Sequence, residues 1–242
     1  MGSAFLGIQS CLGFPKHFFP YIGYFQLLNM VDKYLVFDDG LYAKNKWAYR
    51  NRILINGAPG YFRTTLLKAN PAQKFNEIRI SNDIKEKNRK IRTLDLAYRK
   101  APHYSEVMPM LEQFLMADYD NLSEYNVASN RLVCDYLDIK TEVFLSSELD
   151  TDKTLKKQYS IFNECRVLGG NEYINSIGGM ELYDFEEFRE NGIELAFLKS
   201  DEIIYSQFGG EFIPDLSIID VMMFNSVPEI QDMLNRYTLI KS

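Results

Sequence analysis

The chain has 242 residues, 46% hydrophobic and 25% charged, which suits one globular domain with a sizeable core. Its 27 basic and 33 acidic residues leave a formal charge of −6, which argues against a general nucleic-acid binder. Cys11, Cys134 and Cys165 are too few and too scattered for a disulfide framework or a metal quartet, so a reducing cytoplasm is expected, with no metal centre of that kind.

The opening MGSAFLGIQSCLGF lacks a basic n-region, and no run approaches the ~20 apolar residues that cross a bilayer, so neither signal peptide nor membrane span is expected. AFLGIQ reads as a short buried strand, followed by an irregular stretch at residues 10–16. Pro20 and Gly23 turn the chain into YFQLLNMV, which has helical spacing, and KYLVFDD is a strand that stops at Asp38–Asp39. RILING and GYFRTTLL form a predicted hairpin, and NEIRIS a further strand. From about Asn82 the pattern is helical, through DIKEKNRKIRTLDLAYRKA, SEVMPMLEQFLM and LSEYNVASNRLVCDYLDI. TEVFLSSEL returns to strand, and KTLKKQYSIFNECRVLGG is a helix stopped by Gly169–Gly170. EYINS is a strand running into Gly178–Gly179, LYDFEEFRENG a helix and IELAFL a strand. FIPDLSIIDVMMFN is a loop plus helix, and VPEIQDMLNRYTLI a final helix. This alternation predicts an α/β fold with a mostly parallel sheet, flanking helices and a helical middle at about 82–140, all in one domain spanning 1–242.

Loops after strands commonly carry binding groups, and residues 17–53 are dense in them. Tyr21, Gly23 and Tyr24 stand where a strand turns into a helix N-terminus, which suits an anion; the plain alternative is a structural turn. Asp38 and Asp39 end an extended run, so they are expected on opposite sides of it, with Asp39 as a base or hydroxyl acceptor. Helix capping or a salt bridge to Lys44 or Arg52 is the alternative. Tyr42, Lys44, Trp47, Arg50, Asn51 and Arg52 set cations beside an aromatic ring; guanidinium forks suit phosphate or carboxylate, and Trp47 suits stacking on a sugar or base. Ser146 and Ser147 close a strand and would bind phosphate, or else cap a helix. Gly178 and Gly179 allow close backbone approach, or are simply a tight turn. His17 and His103 lie apart and read as packed or exposed rather than as bases. Together the strand-end groups are expected to line a small, positively charged hollow.

FFPYIGYFQLL, DKYLVFDD, Tyr42, Lys44, Trp47, RNRI, ILINGAPGYF, AYRKAPHY, SSEL, LGGNEYINSIGG, ENGIEL and FIPDLSIIDVMMFN follow one another in an order that resembles the WbqC-like protein family, from about His17 to Asn225. The resemblance implies a place in bacterial surface-polysaccharide (O-antigen) gene clusters. In that family the first strand runs straight into Gln-Pro-aromatic-Phe-Phe-Pro. Here Pro15, Lys16 and His17 precede Phe18, so either a loop is inserted after Gln9, the reading preferred, or that glutamine is lost. The Tyr21–Tyr24 turn also resembles the HIGH turn of class I nucleotidyl-transferring enzymes, with tyrosines at both histidine positions. That likeness implies a Rossmann-like fold, an adenine lying on Gly23, and ATP or a nucleotide sugar, with Mg²⁺, as the small-molecule partner. The expected function is transfer of an acyl, aminoacyl or nucleotidyl group to a nucleotide-activated or lipid-linked sugar, with Asp39 and Lys44 catalytic. A non-catalytic sugar- or nucleotide-binding protein is the alternative.

Overall fold

The computed structural model describes residues 9–13 and 17–241. The elements begin with β1 (Gln9–Gly13), α1 (Ile22–Met30), β2 (Lys33–Val36), β3 (Arg50–Ile55), β4 (Ala58–Arg63), β5 (Leu66–Leu67) and β6 (Arg79–Ile80). Three helices follow, α2 (Ile84–Tyr98), α3 (Tyr104–Met116) and α4 (Leu122–Leu137). The chain continues through β7 (Glu142–Leu145), α5 (Gln158–Leu168), β8 (Glu172–Ser176), α6 (Phe185–Glu190) and β9 (Glu194–Ser200). It closes with α7 (Ile218–Phe224), α8 (Val227–Met233) and β10 (Tyr237–Lys241).

The central sheet has the order β10-β9-β8-β1-β2-β7. β1 pairs in parallel with β2 and β8, β2 with β7, and β8 with β9, whereas β10 runs antiparallel to β9. β3–β4 and β5–β6 are separate antiparallel pairs. The protein is therefore mixed α/β with a helical middle, as expected, but antiparallel pairs stand beside the parallel ones. The five parallel strands send their carboxyl ends to one edge, and their order reverses between β1 and β8. Loops beyond such an edge are the usual ligand-binding ground of open α/β sheets.

Side-chain alternation buries both faces of the sheet. Tyr34, Val36, Ile174, Ala196 and Leu198 pack with α1 to α4, α7 and α8. Leu35, Tyr173, Leu195 and Phe197 point the other way onto α5 and α6, through Ile161, Phe162, Cys165, Leu168 and Phe188. Local chemistry sets the element ends. Asp83 caps α2 by accepting from the Lys85 and Glu86 N–H groups, and Asn121 caps α4 through the Glu124 N–H at 2.9 Å. Gly169, at φ 70°, stops α5 as expected. The β3–β4 hairpin turns at Asn56 (φ 51°) and Gly57 (φ 76°), the pair of positive φ values that a two-residue hairpin turn favours.

Three expectations need correction. The described first strand is Gln9–Gly13, so residues 10–13 are strand rather than inserted loop, while residues 4–8 and 14–16 lie outside the described residues. Gln9 opens that strand, at the end of the sheet away from the carboxyl edge. The chain's last stretch is a short helix followed by a strand rather than one helix. In β10, Tyr237 and Leu239 pack on one face and Ile240 on the other, a period of two that no helix offers. Lys153 and its neighbours precede α5 instead of lying in it, so neither Ser147 nor Asp150 caps that helix.

Candidate functional site

The densest polar cluster forms where β2 and β7 end side by side. β2 stops at Val36 and the chain turns, so Asp38 and Asp39 do not go to opposite faces; both carboxylates converge on Ser146. Asp38 is 4% exposed. Its Oδ1 accepts from the Ser147 N–H (2.9 Å) and the Ser146 hydroxyl (3.2 Å), and its Oδ2 from the Ser147 hydroxyl (2.6 Å) and the Asn76 amide (3.2 Å). The single Ser146 proton is shared with Asp39, so Asp38 has three donors of its own, the Ser147 N–H and hydroxyl and the Asn76 amide, and through them it clamps two strand ends and the 75–77 turn together. Asp39 keeps acceptor capacity. One oxygen takes the Ser146 hydroxyl, and the other stands 3.7 Å from Lys153 Nζ, which also donates to the Ser146 carbonyl. The side chains of Asp39 and Lys153 are 21% and 48% exposed, so this pair meets solvent.

Behind it lies a residue the sequence reading did not single out. Glu164 of α5 is 5% exposed, and its Oε2 is buried with no hydrogen-bond partner. Burial pushes its carboxyl up to about 8; Lys153 pulls it down and Asp39 pushes it further up. The signal was present in the helix period, because Glu164 shares the stripe of Ile161, Cys165 and Leu168, where an acid is out of place.

A second group surrounds the turn into α1. Asn51, on the buried side of β3, donates to the Phe18 (3.1 Å) and Phe19 (2.7 Å) carbonyls. Ser217 Oγ also donates to Phe19 O at 2.8 Å, and the Ile218 N–H to Pro20 O at 2.9 Å. Asn51 therefore straps the turn instead of meeting a ligand. Arg52 donates to the Asp215 carbonyl (3.1 Å) and pairs with its carboxylate at 3.8 Å. Burial, then Asp215, raises the Tyr21 phenol. Tyr24 is raised by burial and packs its ring against His17 at 4.8 Å and Tyr21 at 6.0 Å.

A methyl group on Gly23 would lie 2.4 to 2.6 Å from atoms of the Tyr21 side chain, so that side chain covers the glycine. Asp39 keeps acceptor capacity for a ligand, and among the described residues no group of three His, Cys, Asp or Glu could hold a metal ion by itself.

The remaining expected residues fall elsewhere. Tyr42 is buried edge-on to Phe75 at 5.7 Å and belongs to the core. Lys44 is exposed, at φ 56°, and among the described residues it makes no hydrogen bond or ion pair, while Lys153 holds the position beside Asp39. Trp47 is 39% exposed, and Arg50 stacks on Tyr61. Gly178 and Gly179 lie in the short helical turn Ile177–Leu182, and a methyl group on Gly178 would meet nothing within 4 Å. A buried acid went unnoticed too. Asp220 of α7 accepts from the hydroxyls of Tyr98 (2.7 Å) and Tyr205 (2.7 Å) and from the Gln207 amide (2.9 Å).

A cleft of about 660 Å³ runs between α3–α4 and the ends of β2 and β7, with Asp38, Asn76 and Leu145 among its lining residues. Its charged lining is Arg131 against Asp38, Glu124, Asp135 and Glu148. This hollow is acidic, contrary to the positive lining expected, because the arginines of residues 50–52 sit on the hairpin and not here.

Fold and cluster together define a mixed α/β protein that carries its polar chemistry at the carboxyl edge of parallel strands. The WbqC-like protein family matches residues 16–232, and the chain belongs to that family. The uncharacterized protein Rv1507c of Mycobacterium tuberculosis is 29% identical over 222 residues, covering 90% of this chain and 94% of that protein. No solved structure matches the chain. Among the described residues, no helix is long and apolar enough to cross a membrane.

Proposed function

We propose that the protein is a cytoplasmic transferase of bacterial surface-polysaccharide biosynthesis. It modifies a nucleotide-activated or lipid-linked sugar by acyl, aminoacyl or nucleotidyl transfer. The observation that carries this reading is the Asp39–Ser146–Lys153 cluster, assembled from the ends of β2 and β7 and the segment before α5, next in sequence to Asp38 and Leu145, which line the cleft. A cleft of about 660 Å³ lies within the range that holds small molecules, and its acidic, amide-bearing walls suit the neutral, hydroxyl-rich sugar part of such a substrate rather than its phosphates. Asp39 accepts the proton of the attacking hydroxyl or amine, Lys153 offsets the charge beside it, and Asp38 holds both strand ends in place. The WbqC-like membership supports the biosynthetic setting through the resemblance described above.

A non-catalytic sugar-binding role is the second reading. It is favoured by Asp38, which is 4% exposed and turned toward donors inside the protein rather than toward a ligand.

The test is a mass-spectrometric transfer assay with nucleotide sugars as acceptors and acyl, aminoacyl and nucleotidyl donors, comparing the wild type with Asp39→Asn. The variant should lose on the order of 100-fold in rate while still binding the sugar, as expected for removal of a positioned base. Undiminished turnover in Asp39→Asn would remove Asp39 from the chemistry. Sugar binding without any turnover by the wild type would establish the second reading.

A further inference from the structure

The outer face of the β3–β4 hairpin carries more positive charge than its neighbours neutralise. The register sets Arg50 directly opposite Arg63 and Arg52 opposite Tyr61. Because opposed residues of an antiparallel pair share a face, three guanidinium groups and one phenol lie together on it. The inner face is formed by the buried Asn51, Ile53 and Phe62. Arg50 lies over the Tyr61 ring, with its guanidinium carbon 4.0 Å from the ring centroid. Neither Arg50 nor Arg63 makes an ion pair among the described residues, and only Arg52 has one, with Asp215. The Nε atoms of Arg50 and Arg52 are both buried without a hydrogen-bond partner.

Each of these observations points the same way. Like charges directly opposite each other across a strand pair are destabilising. This chain has 33 acidic residues to 27 basic ones, so acids to relieve Arg50 and Arg63 are not scarce in it. A buried guanidinium N–H without an acceptor costs free energy that a matching anion would recover. Tyr61, 53% exposed, holds the Arg50 fork flat by stacking and so presents it already oriented.

We propose that the outer face of this hairpin is a phosphate-binding site in which Arg50 and Arg63 hold a phosphate or pyrophosphate anion, Tyr61 orients Arg50, and Arg52 with Asp215 forms one border. The site adds Tyr61 and Arg63 to the residues expected from the sequence, and it does not depend on the chemistry at Asp39. Its anion is carried either by a soluble nucleoside diphosphate or by a lipid headgroup. The border at Asp215 lies toward Tyr21 at the start of α1.

The test is direct binding. Isothermal titration of the full chain with inorganic pyrophosphate and with UDP, and sedimentation with phosphatidylglycerol vesicles against phosphatidylcholine vesicles, are compared for the wild type, Arg50→Gln, Arg63→Gln and the double variant. Lys85→Gln, an exposed lysine on α2, is the charge-matched control. Binding should weaken ~10-fold or more in each single variant, as for loss of one charge-assisted contact, and should weaken with added salt in the wild type. Lys85→Gln should bind as the wild type does. Saturable pyrophosphate or UDP binding that follows this order assigns the soluble ligand; binding confined to phosphatidylglycerol vesicles, again in this order, assigns the lipid. Should no probe bind, or should the double variant with an unchanged melting curve bind as tightly as the wild type, the site is refuted and the Arg50–Tyr61 stack is structural only.

Discussion

Glu164 offers the sharpest quantitative test of the architecture around Asp39. Burial without a hydrogen-bond partner holds its carboxyl at about 8 in the folded protein, against 4.5 as its ordinary value. Below pH 4.5 the group is protonated in both states and costs nothing. Between about 4.5 and 8 the unfolded chain releases a proton that the folded chain retains, so stability falls as pH rises through this window. Each pH unit is worth at most about 1.4 kcal/mol, so by pH 7 the loss is on the order of 3 kcal/mol. Glu164→Gln keeps the shape of the protonated acid and cannot ionise. Urea unfolding of both proteins from pH 5 to pH 9 isolates this group, since other titrations cancel in the difference. The variant should match the wild type near pH 5, gain progressively up to about pH 8 and then level off. A difference that stays flat across that range would refute the assignment of a neutral, unpartnered carboxyl. Lys153→Ala should extend the upper end of the window to higher pH, because Lys153 pulls the folded-state Glu164 carboxyl down.

Asn51→Ala removes both straps on the Phe18 and Phe19 carbonyls and leaves them buried, so it should cost about 1–3 kcal/mol in urea unfolding. Gly23→Ala should expel the Tyr21 ring, measurable as greater phenol accessibility to quenchers, with little further cost in Tyr21→Ala; additive losses from the two changes would contradict the close approach. Ser147→Ala removes the hydroxyl that donates to Asp38 but keeps the Ser147 N–H bond, so a stability loss of about 1 kcal/mol is expected, with sugar binding in the cleft retained.

Much of the architecture was legible because it rests on short-range periodicity. The middle helices show as charged, amphipathic runs; α5 shows through its apolar stripe and its glycine stop; the alternating elements place the strand-end loops. What was not legible depends on which loops the sheet order brings together. Asp38 and Asp39 were expected on opposite sides because the strand seemed to reach them; a turn after Val36 instead aims both at Ser146. Lys44 lies only five residues beyond Asp39 in sequence, yet Lys153 is the cation beside it, a pairing made by the parallel contact of β2 with β7. Asn51 and Tyr42 read as ligand-binding because polar and aromatic groups look alike in sequence whether they meet a ligand or a neighbouring carbonyl or ring. β10 was hidden by the helix that precedes it, since four residues of alternation are too few to stand out.

The three hydrogen bonds on Asp220 have a mechanical consequence. The Tyr98 hydroxyl that reaches this carboxylate also accepts the Leu54 N–H of β3 at 3.0 Å, while Gln207 on the other oxygen is bonded in both directions to Ile213. One interior acid thus rivets the turn end of the hairpin to the segment between β9 and α7, whose tip carries Gly209 and Gly210 at φ 95° and 107°. Tension applied to either piece is felt by the other, so amide hydrogen exchange along 205–213 should report what happens on the hairpin without any probe placed there.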